Sequence, residues 1–208
     1  MSLSYWDHTY VQWLYQYLLS EIGNDIGVSA LMGNLYAESG ICPFRCEGDY
    51  TFPYTGSYNE TINTIRNLSD YDFQHYHYPG TISSQVGYSL AQWTTYSRKS
   101  NYYNYCTGSL LGDGTKSAEF LVQELQTGYS STWNQLVNAT SIRTASDYVL
   151  VHFEAPADQS ESVKQYRAYL GSEIYDEFSG LPPIPVGSPL DILVLKKVID
   201  RNNKRIYT

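Results

Sequence analysis

The stretch that decides the reading is "LMGNLYAESGICP", residues 31–43. Val28, Leu31, Met32, Leu35 and Tyr36 fall on one continuous face at 100° per residue, which predicts a helix over about 27–39. Gly40 is placed to close that helix with a left-handed cap, and Pro43 to stop the chain beyond it. Glu38 lies seven residues after Leu31 and three after Leu35, so it projects near the edge of the apolar face. That is a poor place for a negative charge. The negative end of the helix dipole and burial against Leu31 and Leu35 both work against the carboxylate, and so favour a carboxylic acid that keeps its proton.

A neutral acid near pH 7 suits glycoside hydrolysis. There a proton must reach the leaving oxygen while an oxocarbenium-like charge develops on the sugar. The plainer reading leaves Glu38 in water, or pairs it with Arg45.

Working outward, residues 5–22 read as an amphipathic helix, with Tyr10, Val11, Leu14, Leu18 and Ile22 on its apolar face. Further helices are predicted from about Ser97, and over 116–126, 132–139, 144–156 (stopped at Pro156) and 159–178, with Asp158 as the N-cap of the last. Residues 41–86 are long, aromatic and turn-rich, with one possible helix at 59–68 and "YDFQHYHYPG" at 71–80. A segment so irregular in a compact domain is usually functional. "SGLPPIPVGSPL" (179–190) holds four of the eight prolines and reads as a linker; "DILVLKKVID" (191–200) reads as a strand or short helix beyond it. The predicted organisation is a body over 1–178, a linker over 179–190 and a short basic segment over 191–208.

Composition narrows the function. The 22 tyrosines supply flat faces with polar tips, suited to binding sugars or proteins. The net charge is −8, and five of the basic residues lie within 191–208; the acidic body argues against nucleic acid as a partner. No run of about 18 apolar residues suggests a membrane span. "MSLSYWDHTY" lacks a basic start followed by an apolar run, so the expectation is synthesis in the cytoplasm without a secretory signal. The three cysteines (42, 46, 106) make no full disulfide framework, so free thiols made in a reducing cytoplasm are expected, although Cys42 and Cys46 are close enough in sequence to pair. The four histidines show no metal-ligand spacing, so neither a metal nor a cofactor is expected.

Two further stretches join the first: "GYSLAQWT" (87–94) with "SRK" at 97–99, and "FEAPAD" (153–158). In this order, the three motifs resemble the lysozyme-like domains of phage tail lysins and related bacteriophage peptidoglycan hydrolases, over roughly residues 20–178. The resemblance implies a mainly α, lysozyme-like fold, with the Tyr-rich insertion or a small β-hairpin lining the cleft. It also implies a glycosidase that cleaves the β-1,4-linked MurNAc–GlcNAc strand of bacterial peptidoglycan.

On this resemblance Glu38 is the general acid, and Gly87, Tyr88, Ser89, Leu90, Gln92 and Trp93 line the sugar cleft, with Tyr36 added as a substrate contact. The residue types agree: Gly87 permits close backbone approach, Gln92 both donates and accepts, and Tyr88 and Trp93 offer ring faces. Trp93 serves the core equally well. For a second carboxylate, "CEGDY" (46–50) offers Asp49, with Glu47 as the other choice. Without one, a lytic transglycosylase follows, in which the sugar's own 6-hydroxyl attacks. Glu154 reads as fixing a helix end, although it could approach the cleft. The expected setting is the bacterial wall, reached as a virion tail component or a released endolysin, with other tail proteins or a further domain as candidate partners. A non-catalytic wall-binding or tail structural module is the rival from another class. A wall peptidase would need Cys46 with His75 or His77, at no recognisable spacing.

Overall fold

The computed structural model describes residues 3–45, 47, 87–107 and 111–181. The predicted helix at 59–68, the cluster at 71–80, Asp49, Cys46, and the linker and tail beyond 181 lie outside the described residues. The fold is mainly α-helical and lysozyme-like. Its helices are α1 (His8–Ile22), α2 (Asp25–Ser39), α3 (Tyr96–Tyr105), α4 (Gly114–Gly128), α5 (Ser130–Val137), α6 (Ile142–Val149) and α7 (Glu161–Phe178). A π-helical turn, Leu150–Glu154, continues α6.

Local chemistry sets the ends. Asp7 caps α1 by accepting from the Tyr10 amide, so the helix starts at residue 8 rather than 5. Gly23 closes α1 in the left-handed region, and Asn24 then caps α2 by accepting from the amides of Ile26 and Gly27. This second cap starts α2 two residues earlier than its apolar periodicity predicts. Gly40 ends α2 with φ 64°, its N–H donating to the Tyr36 carbonyl.

Helix α2 is the central element, against which α1, α5, α6 and α7 all pack. Every residue from Gly27 to Leu35 is buried, so α2 has no solvent face in this stretch. The amphipathic reading misses this because the remaining faces carry small or compact polar residues: Ser29, Ala30, Gly33 and Asn34. These let neighbouring backbones approach closely. A Cβ on Gly33 would sit 2.5 Å from the Gly171 nitrogen and 2.6 Å from the Arg167 carbonyl oxygen of α7. This contact fixes the register of α7 on α2.

A second apolar cluster lies under residues 87–98. Trp93 stacks on Tyr102 at 4.5 Å between ring centroids and meets Phe120 edge-on at 5.0 Å. One antiparallel bridge, Tyr88 with Trp93, ties the turn they flank. Among the described residues no helix is long and apolar enough to cross a membrane.

Candidate active site

The three motifs meet in one cleft of about 690 Å³. One wall is the end of α2, with Ala37 and Glu38. A second is Ala91, Gln92, Thr94 and the start of α3, through Arg98. A third is the π turn and its exit, Phe153 to Pro156. Ser39 pins the first two walls together, since its hydroxyl donates to the carbonyls of Leu35 and Leu90.

Glu38 is held from across the fold. Arg167 of α7 donates through Nη2 to Glu38 Oε1 at 2.5 Å and through Nη1 to Asn34 Oδ1 at 3.3 Å. Asn34 in turn donates to the Ala30 carbonyl and to Ser146 of α6. The arginine is buried, and the Glu38 side chain is 19% exposed. The partner expected from sequence, Arg45, instead donates to the Ser39 carbonyl from another part of the same cleft.

The turn carrying Gln92 is built for position. Gln92 Nε2 donates to the carbonyls of Arg45 and Ser89, and Gln92 has φ 44°. Gly87 fits closely here: a Cβ would come within 3.0–3.1 Å of three Gln92 atoms. The close approach that its sequence suggested is therefore to Gln92. Gly87 also exchanges hydrogen bonds with Glu47, a cleft residue, through backbone and carboxylate.

The other cleft residues proposed from sequence are placed elsewhere. Tyr88, Ser89, Leu90 and Trp93 are buried, at 0–2% exposure, with no face left for a sugar. The whole turn is packed inward, where Trp93 Nε1 donates to Glu124 and Ser89 donates to Ser117. Tyr36 is half-buried away from the cleft; its hydroxyl donates to the Ser4 carbonyl and its ring meets Tyr5 edge-on. Asp49 lies outside the described residues. Asp158 accepts from the Ser160 amide, just ahead of α7, so it braces the approach to the helix rather than serving as its N-cap.

Several cleft features were missed from sequence. Arg98 forms a two-pronged ion pair with Glu124 at 2.7 and 2.8 Å, and its guanidinium lies 4.9 Å from the Phe153 ring centre. The α6 helix does not run to Pro156. It widens into the π turn at Leu150, and Ala155 ends it at φ 46° with its N–H on the Leu150 carbonyl. Proline at 156 disfavours a right-handed helical conformation at the residue before it. The π turn brings Glu154 to the cleft beside Glu38.

Among the described residues four non-glycine residues have positive φ: Ile41, Ser89, Gln92 and Ala155. All belong to or closely flank the cleft walls, and for β-branched Ile41 such a φ is a real outlier. Strain gathered this way marks sites where geometry is over-determined by the surroundings. Among the described residues no cluster of His, Cys, Asp and Glu is arranged to hold a metal.

A search of curated proteins returns no match. The sequence profile of the phage tail lysozyme family matches residues 10–178, most of the chain, and with its three motifs assembled in one cleft this chain belongs to that family.

Proposed function

We propose that this protein cleaves the β-1,4-linked glycan strand of bacterial peptidoglycan, with Glu38 as the general acid. The family assigns a lysozyme-like, wall-lytic class of function. The observation that carries the finer reading is the cleft itself, where an acid at the end of the innermost helix opens onto the amide-bearing turn of Gln92. Glu38 protonates the leaving oxygen, and Gln92 Oε1 and Thr94 Oγ1, whose donors are already used within the fold, accept from hydroxyl or acetamido N–H groups. The Arg167 contact on Oε1 fixes the carboxyl's direction and leaves its second oxygen without a donor among the described residues, as proton delivery to a glycosidic oxygen requires.

Digestion of purified walls followed by mass spectrometry tests this reading. Reducing muramic ends indicate a muramidase, reducing glucosamine ends a glucosaminidase, and anhydro ends a transglycosylase. No new ends at all would leave only the binding-module reading. Glu38→Gln should fold and fail to lyse walls, with a loss of about 10²–10⁴-fold.

A further inference from the structure

We infer that Glu154, rather than Glu47, whose carboxylate is taken up by the Gly87 amide, is the cleft carboxyl that pairs with Glu38 and holds, between turnovers, the proton that Glu38 delivers. This rests on the glycosidase reading above and adds a residue to it. The placement is costly in three ways. The helix gives up regular α geometry over Leu150–Glu154, and single π turns are rare overall and frequent at functional sites. Ala155 takes a left-handed conformation without being glycine. Glu154 Oε1 is shut from solvent and has no hydrogen-bond partner among the described residues. The side chain nevertheless shares a cleft with Glu38. A carboxyl serving only to fix a helix end would be hydrogen-bonded to that end.

The charged groups around it are Glu38 from α2, Arg98 from α3, Glu124 from α4 and Arg167 from α7. Both arginines are already engaged: Arg98 with Glu124, and Arg167 with Glu38 and Asn34. Burial pushes the Glu154 carboxyl well above the usual carboxylate range and the Glu38 charge pushes it further, against the pull of Arg98 and Arg167. A carboxyl buried beside another's charge keeps its proton. In the reaction that proton passes through Glu38 to the glycosidic oxygen, which keeps the electron pair of the broken C–O bond. The anomeric carbon takes the oxygen of water, or of the sugar's 6-hydroxyl, and the proton released from that O–H returns to the pair. Glu154 is thus a positioning residue that acts through Glu38.

The test is Glu154→Gln, assayed for wall lysis across pH. The expected result is a loss of about tenfold at neutral pH, an alkaline limb moved to lower pH by about one unit, and recovery of most activity in acid, where solution protonates Glu38 directly. A structural role would lower activity alike at every pH. An unmoved alkaline limb overturns the proposal. Infrared spectroscopy of the wild-type protein with ¹³C-labelled glutamate supplies a second reading that needs neither turnover nor the variant's folding. A protonated glutamate band at neutral pH supports the proposal, and its absence overturns it. Intact lysis by Glu38→Gln would sink the glycosidase assignment but would leave the infrared result standing, so the two failures are distinguishable.

Discussion

The Arg167 guanidinium spans from α7 to the Glu38 carboxylate at the end of α2, joining residues 129 positions apart in the chain. The same guanidinium holds Asn34, one helical turn before Glu38. The direction of the Glu38 side chain is therefore set by the packing of two helices.

Arg167→Met should lower stability by about 3 kcal/mol, because it leaves Glu38 and Asn34 without their donor in a mostly dry setting. Urea denaturation measures this. In the Arg167→Met/Glu38→Gln double variant the loss should be less than the sum of the two single losses.

Gly33→Ala drives a methyl into the backbone of α7, where nothing can rotate away. A loss of about 3 kcal/mol is expected, together with reduced lysis as Arg167 shifts from Glu38. Gly128→Ala is the control: a Cβ there meets nothing within 4 Å, and a gain of about 0.5 kcal/mol is expected.

Trp93→Phe separates core from sugar contact. The indole is fully buried and its N–H donates to Glu124, which Arg98 also holds. Stability should fall by about 1–2 kcal/mol, while the affinity for glycan fragments of the folded variant stays within about threefold. A large loss of affinity at unchanged stability would return Trp93 to the cleft.

Stability should also report on Glu154. Its folded carboxyl binds a proton more tightly than the unfolded one, whose ordinary value is about 4.3. The native state therefore holds the extra proton above that pH. The contribution is fully present below about 4.3 and is lost as pH rises through the folded value. Urea titrations at a series of pH values should show a smaller decline for Glu154→Gln than for wild type.

Cys106 should resist alkylation until the protein unfolds. It is buried against Tyr102, and burial pushes its thiol up to about 12, so little thiolate exists near neutral pH. Mass spectrometry after iodoacetamide treatment, with and without urea, measures this.

Legibility followed range. The Gly40 cap and the buried face of α1 depend on neighbours a few residues away, and the sequence carries them openly. The all-round burial of α2 was hidden because Ser29, Gly33 and Asn34 are not apolar by type; their small size matters only once α7 and α6 arrive. Trp93 and Tyr88 show why residue type underdetermines role: a ring that stacks on a sugar and a ring that fills a core read alike until packing chooses. Arg167 left no local signature, and the π turn at Leu150 breaks a pattern that periodicity alone extends to Pro156. Glu38, by contrast, stood out because its position conflicts with helix electrostatics.

The enclosure of α2 also bears on how the protein breathes. A helix walled by four others exchanges its amide hydrogens only when the whole domain opens, whereas α3, with most of its surface outward, is free to fray independently. Glu38 is thus mounted one turn beyond the most enclosed stretch of the fold, and Arg167 ties that turn to the neighbouring helix.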